Sequence, residues 1–296
     1  MSRFSGTQQG VALVILATAC FVGLDTLTKY AGLAMPLLMV VWMRYVVQSV
    51  LTAGMLLPAR GRGLFHTRHP RLQLLRGVLM LASSTLAFIS LKAMPVGDFT
   101  ALMMLAPMLI TLVSALSIGD RVTPARWALL TGSFVGAIVV IRPGADDFDW
   151  ATLFALGLVV LNAAFNLLTV HMARHEDAGT MHFYTGLVAA SIATVLLPFA
   201  WQSVPLVMWL PVAFIGVFSG VGHYLLIQGY ARTKPSTLTP YLYFQIVFAT
   251  LSGWLIFSHA PDVWSVIGIV MIAVCGVANT WLSGKSALLT EAEPTL

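Results

Sequence analysis

Charge is what this sequence has least of. Charged residues fill 9% of its 296 positions and hydrophobic ones 58%, a ratio that leaves a water-soluble fold too little polar surface to face its solvent. Soluble classes are therefore excluded. Cysteine is almost missing too: Cys20 and Cys275 both lie inside apolar runs, where a thiol packs as a small hydrophobe, so neither a disulfide framework nor a thiolate metal site is expected. No nucleotide-binding glycine loop is present, which removes ATP drive by this chain. The two-residue alternation of a membrane barrel is absent as well, and helices are then the spanning structure that satisfies every backbone group.

What the chain does have is ten apolar runs, each near the 20 or so residues that cross a bilayer. They cover residues 10–30, 35–57, 74–92, 98–118, 124–141, 150–172, 181–200, 207–230, 237–257 and 263–282. The fold class is an all-α membrane protein of ten helices. The first run is long and carries Asp25 and Lys29 in its last third, so it is read as a mature helix and not a signal peptide. Five runs precede the short acidic linker from Arg142 to Asp149 and five follow it. Five is odd, so the second half enters the membrane inverted relative to the first. This divides the chain into residues 1–143, 149–283 and a cytoplasmic tail, 284–296.

Lys and Arg collect on the cytoplasmic side of short loops. With the amino terminus inside, that side holds Arg3, Arg60, Arg62, Arg68, Arg71, Arg76, Arg121, Arg126, Arg174, Arg232, Lys234 and Lys285, against Lys29, Lys92 and Arg142 on the other. Twelve against three places both termini in the cytoplasm. The net charge of +5 is then topological, and no nucleic-acid partner is implied.

A repeat is visible in residues as well as in hydropathy. Setting Ala93 against Ala231 brings LKAMPVGDFTALMMLAP beside GYARTKPSTLTPYLYFQ without gaps, and a second alignment sets Asp25 and Thr28 against Asn166 and Thr169. Inverted repeats of this kind are a transporter signature, because exchanging the conformations of two pseudo-symmetric halves opens a central site to alternate sides. The run AMPVGDFTALMMLAPMLITLVSALSIGDRVTPARWALLTGSFVGAIVVIRPG, the WMRY segment of helix two and LLRG at the start of helix three resemble the drug/metabolite transporter superfamily, and within it the ten-helix EamA-type exporters. The resemblance spans essentially the whole chain. It implies a ten-helix bundle around a central cavity and export of amino acids or related metabolites. Asp120 stands where the family usually has Glu, and Ser258 or His259 stands at the equivalent place in the second half.

Polar groups at membrane depth point to the site, since each costs several kcal/mol unless paired or wet. Arg44 lies near the middle of helix two, flanked by Trp42 and Tyr45, and reads either as a partner for a substrate carboxylate or as a structural ion pair with Asp25. Asp25 has Lys29 at i+4, which suggests an ion pair or gate near the outer end of helix one. Asn162 and Asn166 make an amide stripe on one face of helix six, as helix glue or cavity lining. Helix eight concentrates Gly216, Ser219, Gly220, Gly222, His223, Tyr224 and Gln228; His223 reads as a proton relay or as a neutral packing group. Pro235 and Pro240 open helix nine, and Met103 and Pro107 of helix four align with Tyr241 and Gln245, which suggests a kink at matching depth. Met103 and Tyr241 would form an adaptable wall, with Ser83 and Ser84 adding small polar groups. GSFVG from Gly132 and GVFSG from Gly216 permit close helix approach, by internal packing or by dimerisation.

Two rival classes fit less well. An intramembrane hydrolase would need Ser219 and His223 to act with an orienting group, and none accompanies them. A channel would want a charge ring or a filter motif, and neither appears. HTRH, His66–His69, lacks the further ligands that a metal site requires. The expectation is therefore a monomeric, non-enzymatic, alternating-access exporter in the bacterial inner membrane, surrounded by lipid and without cofactor. Its solutes would be amino acids, aromatic ones included, or related small metabolites.

Overall fold

The computed structural model describes residues 6–118, 123–142, 150, 153–172, 175–230, 232, 238 and 241–292. Asp120, Pro235, Pro240 and Ala231 lie outside these residues, as do Arg3, Arg121, Arg174 and Lys234. Among the described residues the chain is helical, with no strand: α1 (Gly6–Ala31), α2 (Leu37–Arg60), α3 (Pro70–Ala93), α4 (Val96–Met103), α5 (Ala106–Ile118), α6 (Pro124–Ile141), α7 (Leu153–Met172), α8 (Ala178–Leu196), α9 (Trp209–Tyr230), α10 (Phe244–Phe257) and α11 (Val263–Ala292). Six are long and apolar enough to cross a membrane, and four shorter apolar helices join them. The ten expected spans are all represented.

The fourth span is broken in two. Pro107 has no N–H to continue the helical ladder, and just ahead of it the bonds tighten to i−3, with Leu105 N donating to Leu102 O at 3.0 Å. The same event recurs at Tyr243, where Ile246 N donates to Tyr243 O at 3.1 Å. Leu105 and Tyr243 are partners in the Ala93–Ala231 register, so the two breaks fall at the same register position.

The chain forms two compact units, each drawing helices from both halves. One comprises Gly23–Met94 and Asp149–Val221, the other Met1–Val22, Pro95–Phe148 and Gly222–Leu296. Inside the first, α2 packs on α8 and α3 on α7 and α8. Inside the second, α4 packs on α10 and α6 on α11. Second span thus meets second, fourth meets fourth and fifth meets fifth. Gly136 and Gly268 permit the last of these, since a methyl group on Gly268 would come within 2.7 Å of the Gly136 carbonyl. GSFVG is therefore used for packing inside the unit.

The α2–α8 unit has two unlike ends. At its basic end, the segment after α2 packs on the start of α8: Phe65 meets Phe183 edge to face at 5.4 Å and Tyr184 Oη donates to Phe65 O. Arg60 pairs with Asp177, which also caps α8 through Thr180 N at 3.0 Å. Glu176 Oε1 accepts from Thr67 Oγ1 and from the Arg68 and His69 amides at 2.7–2.9 Å, and α3 begins at Pro70, four residues before the apolar run, on that capped turn. At the aromatic end, the segment after α8 packs on the start of α2. Trp42 donates to Thr194 at 2.9 Å, Trp209 packs against both Trp42 and Trp201, and Gln202 N meets Met39 Sδ.

Candidate functional site

Arg44 leaves α2 toward α3, and a directed hydrogen-bond chain holds it. Its Nη1 donates to Ser84 Oγ at 3.2 Å, Ser84 donates to Tyr45 Oη, and Tyr45 donates to Met80 O at 3.1 Å. Tyr45 is completely buried, so the chain is sheltered from water and fixes the guanidinium against α3. The Arg44 Nε is also buried and has no hydrogen-bond partner among the described residues, and the same is true of Ser83 Oγ. Gly216 admits this arrangement: a methyl group there would meet Arg44 O at 2.8 Å and the Val47 side chain at 2.5 Å. Ser219, one turn further along α9, donates to Gln48 Oε1 at 2.8 Å. GVFSG is thus committed to α2, and the Ser219 hydroxyl to an amide.

Asp25 is buried on α1 and makes no ion-pair contact with Arg44. The expected Asp25–Lys29 pair does not form. Lys29 Nζ instead donates to Leu91 O and Met94 O, both at 2.7 Å, because the unsatisfied carbonyls at the end of α3 and their negative dipole attract an ammonium that can reach them. Asn162 and Asn166 do share a face of α7, where Asn166 Nδ2 donates to Asn162 Oδ1 at 2.7 Å and to Asn162 O at 2.8 Å. Asp25, Lys29, Arg44, Ser83, Ser84, Asn162 and Asn166 therefore belong to one unit.

Met103, His223, Tyr224, Tyr241 and Gln245 belong to the other. Met103 ends α4 at the helix break, and Tyr241 stacks on Phe244 at 6.4 Å, with Gln245 in the first turn of α10. His223 meets Phe21 edge to face at 5.0 Å, and Tyr224 is 45% exposed. Of the residues predicted for the site, Asp25, Lys29 and Arg44 thus fall in one unit and Met103, Tyr224 and Tyr241 in the other.

Three buried polar residues lie outside the set predicted for the site. Arg76 donates to Thr169 at 3.2 Å and Met181 O at 3.0 Å and lies 4.9 Å over the Phe165 ring, joining α3 to α7 and α8. Asp98, in the first turn of α4, accepts from Ser265 Oγ at 3.1 Å, beside an Arg142–Asp262 pair at 2.7 Å. The Ser265 amide and the Arg142 guanidinium hold the exposed Asp262 carboxyl below its ordinary range, against a smaller effect of burial. Tyr243 lies over Gly276 with its hydroxyl buried and unpartnered among the described residues. In the sequence Arg76 counts only toward topology, and Asp98 stands at the first position of the fourth run. The signal is nonetheless present: each is a polar side chain inside an apolar run.

An open cavity of about 440 Å³ lies among Met35, Pro36, Leu37, Phe88, Ile89, Lys92 and Ala93. None of the residues predicted for the site lines it.

Comparison with known proteins supplies the remaining findings. The model of the EamA-like transporter family matches residues 8–142 and again 149–280. The chain is 25% identical to the riboflavin transporter of Vibrio cholerae, over 94% of this chain and 95% of that protein. It is 27% identical to the pseudopaline exporter CntI of Pseudomonas aeruginosa, over 92% and 95%. To the S-adenosylmethionine uptake transporter of Rickettsia bellii it is 23% identical, over 89% and 90%. A crystal structure of a protein at 21% identity superposes with a TM-score of 0.67, over 96% of this chain and all of that one, and shares the fold.

Proposed function

This chain belongs to the EamA-like transporter family, and from that membership we propose that it is an alternating-access exporter of small amphipathic metabolites, amino acids foremost among them. It resides in the bacterial inner membrane with both termini cytoplasmic, and residues 1–143 and 149–283 act as its two inverted repeats. The observation that carries this is the like-with-like packing inside each unit, α2 on α8, α4 on α10 and α6 on α11, with helix breaks at register-equivalent Leu105 and Tyr243. Elements related by an inverted repeat can exchange conformations, which is how a two-sided machine opens to alternate faces. Discontinuous helices at matching register positions supply the hinges, because the freed backbone groups accommodate a change in angle without loss of a full helical ladder.

The relatives are named for solutes other than free amino acids and for both uptake and export, so substrate and direction are the features to test. The measurement is counterflow into proteoliposomes, with the amino acids, riboflavin and S-adenosylmethionine as labelled solutes at two pH values. Saturable flux of an amino acid supports the assignment; saturable flux of riboflavin alone would replace the solute, and linear leak for every solute would remove the transport reading. Orientation is checked by cysteine labelling on a background free of Cys20 and Cys275. A thiol at Arg62→Cys is expected to react only from the cytoplasm, and one at Ser203→Cys only from outside.

A further inference from the structure

The open cavity of about 440 Å³ belongs wholly to the unit that contains Gly23–Met94. Its volume falls within the range of about 300–1,000 Å³ that small-molecule sites span. Met35, Leu37, Phe88 and Ile89 give it an apolar wall, and Lys92 is the charged residue of its lining. The lining comes from the turn that leads into α2 and from the last turns of α3, so the cavity lies where the spans Leu37–Pro58 and Pro70–Ala93 end. Trp42, in the second turn of α2, and its neighbours Trp201 and Trp209 mark the same end of the unit. Span ends and tryptophans together put the cavity at the depth of the bilayer–water interface.

Lys92 is available there because Lys29 has taken the acceptors. A lysine in the last turn of a helix ordinarily turns back on the terminal carbonyls, but those of Leu91 and Met94 already accept from Lys29 Nζ, both at 2.7 Å. Among the described residues Lys92 makes no hydrogen bond and no ion pair, and it is exposed. Its stem is nonetheless placed: a methyl group on Gly32 would come within 3.3 Å of Lys92 Cγ and 3.2 Å of Phe88 Cζ, so the turn after α1 packs close against both side chains. A stem lying on apolar surface with its ammonium at the interface is the snorkelling arrangement. Pro36 opens α2 without a side-chain cap, and the partial positive charge of that helix end adds to the lysine's field.

Positive charge beside an apolar trough at interface depth matches an amphiphile with an anionic head. A small hydrophilic anion would meet one exposed ammonium and no second donor side chain in the lining, a contact that water and salt screen heavily. A wholly apolar molecule would leave the lysine unused. We propose that the cavity binds an anionic phospholipid of the surrounding bilayer, its phosphate against Lys92 and one acyl chain along Met35, Leu37, Phe88 and Ile89. Such a lipid bridges the turn before α2 and the end of α3, and it stabilises the folded chain as any ligand that binds only the folded state does.

The test follows the thermal midpoint of the full chain in a neutral maltoside detergent as dioctanoylphosphatidylglycerol, dioctanoylphosphatidylcholine or glycerol 3-phosphate is added. Phosphatidylglycerol is expected to raise the midpoint saturably, at about tenfold lower concentration than phosphatidylcholine. Glycerol 3-phosphate, which has the anion without the chains, is expected to leave it unchanged. Lys92→Gln should bring the two lipids to equal potency without moving the lipid-free midpoint, because the side chain has no partner to lose. Ile89→Trp, which fills the trough, should weaken both lipids together. Arg62→Gln, at the basic end, should retain the preference and so separate the cavity from a general attraction to basic surface. Equal potency of the two lipids on the parent chain, a preference that survives Lys92→Gln, or one lost equally in Arg62→Gln overturns the lipid site. A midpoint raised by glycerol 3-phosphate to the same extent overturns it as well, in favour of a free anion. The readout is stability and not flux, so the lipid site stands or falls apart from the transport reading.

Discussion

The two ends of the α2–α8 unit are made by equivalent segments. After α2 the chain folds onto the start of α8, and after α8 it folds onto the start of α2, as an inverted repeat requires. Yet the basic end is closed by carboxylates, an arginine and backbone caps, and the aromatic end by Trp42, Trp201, Trp209 and Met39. Topology is shared and chemistry is not. A duplicated scaffold inherits its contacts, but the side of the membrane on which each copy lies selects the residues that make them. On the orientation proposed above, the arginine-rich segments lie on the cytoplasmic side and the tryptophans at the opposite interface, which suits a ring that is apolar and an N–H that finds an acceptor, as Trp42 finds Thr194. The difference predicts unlike responses to salt and pH.

The largest effect is expected at the aromatic end. Trp209→Ala removes the ring that joins Trp42 to Trp201 and should cost about 2 kcal/mol, read as a lower thermal midpoint in detergent. Its size should be the same from neutral to mildly acidic pH and in high salt, because no ionised group contributes. A salt-sensitive loss would break the contrast between the ends. Next in size is Glu176→Gln at the basic end. Burial alone would raise the Glu176 carboxyl, but hydrogen bonds from Thr67 and from the His69 and Arg68 amides outweigh it and hold it below its ordinary value of 4.5. A carboxyl lowered in the folded state contributes stability that is complete above its unfolded value and is lost as pH falls through the folded one. The variant should therefore cost about 1 kcal/mol at neutral pH, reduced by solvent screening. It should differ less and less from the parent below about pH 4.5.

The contrast between the ends also separates what can be read from the residues alone from what cannot. Span number, the inverted arrangement and the break near Pro107 are legible because they depend on length, parity and a missing N–H, all of which are local. The Arg60, Arg62, Arg68 and Arg71 cluster announces a basic end for the same reason. Lys29 is different: i+4 spacing offers it Asp25, and only the tertiary fold brings the carbonyls of Leu91 and Met94 close enough to compete. Glu176 and Asp177 look like ordinary loop acids until the fold sets them against α3 and Arg60. Arg44 is recognisable at depth, but its orientation depends on Ser84 and Tyr45 meeting across two helices. Spacing along one chain cannot report which edge of a guanidinium is left over.

The smallest expected effect is the most discriminating about the basic end. Arg60 and Asp177 form an ion pair with side chains 40% and 47% exposed, so water and counterions screen it heavily, and Arg60→Gln should cost no more than about 0.5 kcal/mol. Asp177 has a second task that does not depend on the arginine, since its carboxylate caps α8 through Thr180 N, and this cap should survive the substitution. Raising salt to about 1 M, where the screening length falls to roughly 3 Å, should therefore erase the difference between Arg60→Gln and the parent. It should leave most of the larger loss in Asp177→Ala, because a cap made of a short hydrogen bond is less affected by ions than a charge pair across solvent. If salt instead erased both losses equally, Asp177 would act through its charge alone, and the basic end would be an electrostatic contact and not a capped helix junction.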